Sequence, residues 1–209
     1  FNCFFKLFCF FINLRNLYSK WINSFDNLIY TSLKEGELPG LDHPIVELVF
    51  QQKDGKKIEI KILLTGELSA DSVKAIFFYN KNVANSELVI YTGHAGLSKN
   101  INLLEKLGNF KKNKYQIFYL DACDSFSYTD GTLEKRHQEI NPDFKWSKHL
   151  DIISNAMPSY FSSSTDSISF IVEEIIKQKK NYRELLFLID PYQRAFVTGE
   201  EDNNYPLPF

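Results

Sequence analysis

The chain has 209 residues, which suits one domain or one domain with an appendage. A hydrophobic fraction of 44% supports a sizeable core, and 19 Phe with 11 Tyr read as filling for it. A net charge of −2 with no basic stripe argues against a nucleic-acid partner.

In chain order, residues 1–12, FNCFFKLFCFFI, are almost all apolar and too short to span a bilayer as a helix. One reading makes them the tail of a signal peptide or anchor, which would favour a secreted or envelope-associated protein and allow membrane attachment. The other makes them the start of a helix packed on the domain, because the apolar pattern continues through Leu14, Leu17, Trp21, Phe25 and Leu28. The second is preferred. Residues 1–34 are therefore expected to be helical, and residues 1–40 to form an apolar segment ahead of an α/β domain over 41–209. A start at Phe1 rather than Met leads us to expect a fragment or a processed form.

Cys3 and Cys9 fall in this segment, outside the expected α/β unit, and are expected to be dispensable. Three cysteines do not make a disulfide framework; a Cys3–Cys9 pair is open, with inert burial preferred. No C-x-x-C spacing occurs, so neither a metal nor a cofactor is expected.

Residues 35–44 read as a loop, marked by Gly36, Pro39, Gly40 and Pro44. A hairpin follows: a strand over 45–50, a turn at Lys53-Asp54-Gly55-Lys56, then Ile58, Ile60 and Ile62 alternating with charged residues. With Ser69 as N-cap, Val73, Ile76 and Phe77 predict a helix to about Asn82. The remaining elements are a strand over 87–92, a helix over 101–112, a strand over 115–120 and a polar irregular stretch over 125–148. After these come a strand over 149–154, helices over 165–180 and 182–189, and a strand over 194–198. Near-continuous apolar strands alternating with helices mean a mainly parallel sheet covered on both faces.

The unit 87–123 carries the chemistry. It runs strand, Gly93-His94-Ala95-Gly96, helix, strand, then Asp121-Ala122-Cys123-Asp124-Ser125. A right-handed crossover makes the two strands parallel, so both end on the edge where α/β sheets bind ligands. Neighbouring strands lie about 4.8 Å apart, which lets His94 and Cys123 face one cleft. A thiolate is a strong nucleophile and an adjacent imidazole can take its proton. Gly93 and Gly96 keep the loop thin for an approaching substrate backbone. The backbone N–H groups of Ala95 and Cys123 are candidates for an oxyanion hole. Asp121, two residues before Cys123, falls on the same side of its strand. It either orients a neighbouring group or forms the floor of a specificity site, with Asp124 and Ser125 beside it. Asn155 to Phe161 follow the next strand and are read either as a cleft wall or as a plain connection. Glu200-Glu201-Asp202 reads as a solvated turn rather than a calcium site. His43, His137 and His149 are scattered and receive no catalytic role.

VIYTGHAG and IFYLDACDS together resemble the paired blocks of the caspase, metacaspase, legumain and gingipain group of cysteine peptidases. The resemblance covers roughly residues 87–170, and the ending VTGEEDNNYPLP is weakly similar to the close of gingipain-like domains. It implies a caspase-like sandwich, a peptide or protein substrate, His94 as general base and Cys123 as nucleophile. Through metacaspases, it also implies that Asp121 receives a basic side chain, hence cleavage after Arg or Lys. The group usually has Gly directly after the His, where this chain has Ala95. Two other functions stay open: a catalytically inactive caspase-like binding module, and a flavodoxin-like binding domain in which Cys123 is structural.

Overall fold

The computed structural model describes residues 3–9 (by their backbone pairing), 14–66, 69, 71–177, 180–189 and 191–200. The strands are β1 (Cys3–Cys9), β2 (Leu28–Thr31), β3 (Ile45–Gln51), β4 (Lys57–Leu64), β5 (Leu88–Thr92), β6 (Gln116–Asp121), β7 (Leu150–Asn155) and β8 (Ala195–Thr198). They form one sheet in the order β2-β3-β4-β1-β5-β6-β7-β8. The centre, β4-β1-β5-β6-β7, is parallel; β2, β3 and β8 add antiparallel margins. The helices are α1 (Leu14–Ser24), α2 (Val73–Val83), α3 (Lys99–Lys106), α4 (Ser125–Tyr128), α5 (Thr132–Ile140), α6 (Phe161–Lys177) and α7 (Tyr182–Leu186).

Alternation along the central strands builds two cores. On one face Leu88, Ile90, Tyr119 and Ile153 pack with Leu14, Leu17 and Trp21 of α1 and Ile168, Ile171 and Val172 of α6. On the other, Val89, Tyr91, Phe118, Leu120 and Ile152 pack with Phe78 and Tyr79 of α2, Ile101 and Leu104 of α3, and Leu133 of α5. Strands buried on both faces read as continuous apolar runs, which is why β5, β6 and β7 were legible.

The same physics corrects the N-terminal expectation. Among the described residues of 1–34 only Leu14–Ser24 is helical: β1 lies between β4 and β5, α1 follows, and β2 returns to the sheet. An apolar run of this length fits a doubly covered strand as well as a buried helix, and periodicity alone does not separate them. Of the first 40 residues, β1 and β2 thus belong to the sheet, and Leu14, Leu17, Trp21 and Leu33 to the core. Cys3 and Cys9 are inside the α/β unit, at opposite ends of one strand. Six residues of strand put them about 20 Å apart, too far to pair with each other. Among the described residues no helix is long and apolar enough to cross a membrane.

Two further differences are local. The stretch 125–148 contains α4, α5 and a short 3-10 turn at Trp146–Lys148. The amphipathic signal of α5 is faint because only Leu133 and His137, one turn apart, are buried. The helix expected over 101–112 stops at Lys106. The Arg136 guanidinium donates to the carbonyls of Glu105, Leu107 and Gly108, satisfying groups that a helix end leaves open.

Candidate active site

β5 and β6 are parallel neighbours, with Thr92 in register with Asp121. The Gly93 N–H extends the ladder to the Asp121 carbonyl at 3.1 Å. His94 and Cys123 each follow the last register pair by two residues, at the carboxyl edge of the sheet. Strand parity sends both towards α6, the side on which Thr92, Asp121 and Asn155 also lie.

The His94 loop is tightly held. The His94 carbonyl accepts from the Tyr91 hydroxyl at 2.6 Å and from Asn100 Nδ2 at 2.8 Å. Gly96, Leu97 and Ser98 have φ of 64°, 51° and 76°, three successive residues in left-handed conformation. For Leu97 and Ser98 this conformation costs energy, so the loop is over-determined by its anchors. At Gly96 a Cβ would press on the Asn100 side chain at 3.1 Å. The His94 ring is exposed and meets the Phe161 ring edge-on, centroids 5.2 Å apart.

Cys123 sits on a sharp turn between β6 and α4, with Asp124 at φ 51°. It is a free, half-buried thiol whose Sγ donates to the Ser159 carbonyl at 3.8 Å. The N–H groups of Ala95 and Cys123 make no hydrogen bond within the described residues. Asp124 is half-buried, and its own N–H donates to the Met157 carbonyl at 3.3 Å. Segment 157–161 therefore touches both candidate side chains, Cys123 through Ser159 and His94 through Phe161. That is the part of the Asn155–Phe161 stretch which qualifies as a wall of the site.

Beneath the thiol is a buried polar network. Asp121 is wholly buried; its Oδ2 accepts from Thr92 Oγ1 at 2.8 Å, and its Oδ1 accepts from Asn155 Nδ2 at 3.2 Å and Ser159 Oγ at 2.5 Å. Gln193 Nε2 donates to Ser159 Oγ at 3.2 Å. The amide oxygens of Asn155 and Gln193, both residues fully buried, have no partner among the described residues. Ser125 has a structural part instead: its hydroxyl donates to the Leu120 carbonyl at 2.6 Å and accepts from the Asn155 N–H at 2.8 Å, tying the turn to β7.

Thr92, Ser159, Gln193, Tyr91 and Asn100 were not singled out from the sequence. One signal was there: β5, β6 and β7 each end on a polar residue, Thr92, Asp121 and Asn155, after an apolar run. Among the described residues no group of three or more His, Cys, Asp or Glu is placed to hold a metal. Of the acidic run only Glu200 lies within the described residues, and the end of the chain resembling gingipain-like domains lies mostly outside them. Comparison with models of known families found no match, and none was found among curated proteins.

Proposed function

We propose that the chain is a cysteine endopeptidase with a caspase-like sandwich, cleaving after Arg or Lys. The observation that carries this reading is the equal two-residue offset of His94 and Cys123 beyond the Thr92–Asp121 register pair on adjacent parallel strands. In the reaction the Cys123 proton passes to His94, and the sulfur attacks the scissile carbonyl carbon. The oxyanion that forms needs donors, and the unengaged N–H groups of Ala95 and Cys123 are suited to supply them. Collapse breaks the C–N bond, and His94 returns its proton to the leaving amine. Water, deprotonated by His94, then hydrolyses the thioester and restores the thiol.

The basic preference is supported by the chemistry around Asp121. A carboxylate with two unpartnered buried amide oxygens nearby is an acceptor-rich setting. Guanidinium carries five donors and no acceptor, and pairs with a carboxylate more strongly than a neutral donor does.

The test is hydrolysis of fluorogenic Arg- and Lys-terminated peptides by wild type, Cys123→Ala and His94→Ala. Each variant is expected to lose at least about 10³-fold in turnover with its circular dichroism unchanged. A folded Cys123→Ala that cleaves at the wild-type rate would remove the nucleophile assignment. A second reading, an inactive caspase-like binding module, is favoured by Ala95 after the histidine and by the resting contacts of the dyad, since the thiol bonds Ser159 rather than His94. It predicts no turnover by the wild type.

A further inference from the structure

Ser159 has two attachments of different kinds. Its hydroxyl donates to the buried Asp121 at 2.5 Å, and its carbonyl accepts from the Cys123 thiol at 3.8 Å. One residue thus joins the carboxylate suited to a basic side chain to the sulfur suited to attack. Two residues later Phe161 holds the His94 ring at 5.2 Å between centroids. In this arrangement the thiol proton is directed at a backbone carbonyl and the imidazole at a phenyl ring, so neither reactive group addresses the other.

The three donors to Asp121 are not equally fixed. Thr92 and Asn155 are the last residues of β5 and β7, held by the sheet. Ser159 lies on the connection between β7 and α6 and is only half-buried. A fourth donor entering the network displaces the one with the least support, which is Ser159. A guanidinium can offer Asp121 a charge-assisted bond in exchange for a neutral hydroxyl. The unpartnered oxygens of Asn155 and Gln193 can take further N–H groups that Ser159 leaves unused. The Cys123–Ser159 bond is long and sulfur is a weak donor, so little opposes its release.

We propose that a basic side chain binding at Asp121 displaces the Ser159 hydroxyl and thereby frees Cys123 from the Ser159 carbonyl, so that recognition of the substrate and release of the nucleophile are one event. The proposal rests on the cysteine-peptidase reading and deepens it. Ser159 is the positioning residue that couples the two, and specificity is enforced by induced fit, because only a side chain that reaches Asp121 assembles the dyad.

The experiment measures iodoacetamide alkylation of the full chain, with Cys123 resolved from Cys3 and Cys9 by peptide mass spectrometry. Methylguanidinium chloride is the probe, and sodium chloride at equal ionic strength the control. In the wild type the probe is expected to speed Cys123 alkylation at least about 3-fold and saturably, an effect of at least about 0.65 kcal/mol. Ser159→Ala should alkylate quickly without probe and gain nothing from it. Asp121→Asn should lose most of the acceleration. A purely structural Ser159 would leave the probe dependence in place when replaced. No acceleration in the wild type, or the same acceleration in Ser159→Ala, overturns the proposal. His94→Ala, assayed alongside, reports on the dyad separately. If it alkylates as fast as wild type with saturating probe, the peptidase reading falls while the coupling stands. If His94 matters and the probe does nothing, the coupling falls while the dyad stands.

Discussion

Replacing Asp121 probes the network under the thiol, and the structure sets the size of the effect. Asp121→Ala removes the acceptor of three hydrogen bonds, from Thr92, Asn155 and Ser159. Ser159 is half-buried and can turn to water, but Thr92 and Asn155 are fully buried. Each stranded donor costs about 1–3 kcal/mol. Relief from burying a charged carboxylate offsets part of that cost. A net loss of about 3 kcal/mol follows, with a small cavity included. With a urea dependence of about 2 kcal/mol per molar, the midpoint of unfolding should fall by roughly 1.5 M. Asp121→Asn should cost about 1 kcal/mol: its amide oxygen can retain Asn155 and Ser159, and the Thr92 hydroxyl can rotate to accept from the amide nitrogen. Urea titration followed by tryptophan fluorescence reads both, since Trp21 is buried in the core shared by α1 and α6. Midpoints for Asp121→Ala and Asp121→Asn within about 0.3 M of the wild type would refute the network as a stabilising unit.

Stability should also depend on pH through two groups of opposite sign. Burial pushes the Glu105 carboxyl from 4.5 up to about 8, with its side-chain bond to Asp130 adding to the shift. The folded state therefore holds a proton that the unfolded state has released, and stability is lost as pH rises through that window. Burial, together with Arg136, lowers His137 from 6.5 to about 4, so stability is lost as pH falls below 6.5. Thermal melts should show Tm falling from about pH 6.5 to 8 in the wild type, with that slope reduced in Glu105→Gln; an unchanged slope would clear Glu105 of the effect. Gly199 has φ 106°, and a Cβ there would stand 2.2 Å from the Leu150 carbonyl oxygen. Gly199→Ala should cost about 3 kcal/mol, a drop in Tm of roughly 10 °C, and a melt matching wild type would show that the β7–β8 contact yields more easily than its geometry suggests.

Much of the α/β architecture was legible because doubly covered strands read as continuous apolar runs. LVIYT and IFYL are continuous apolar runs separated by one helix, each too short for a helix and each stopped by polar or glycine residues. The positions of His94 and Cys123 followed from where those runs stop. The trace failed where it was ambiguous or faint. CFFKLFC is equally apolar as a helix or as the strand β1, and only its pairing with β4 and β5 decides between them. That pairing also puts Cys9 in register with Thr92, in the row that carries Asp121, a position no local pattern announces. Helix α5 hid because its buried face is two residues wide.

The sequence by itself therefore determined which residues stand at the carboxyl edge of the sheet, because side-chain periodicity and strand length are local properties. Tertiary structure alone decided what those residues face. The bonds that organise the site join Asp121 to Thr92, Asn155 and Ser159 across separations of 29, 34 and 38 residues. Hydrogen-bond geometry between distant segments depends on sheet order and register, which arise only when non-local pairing has closed the loops between them. The contact of Ser159 with Cys123, and that of Phe161 with His94, belong to this second class.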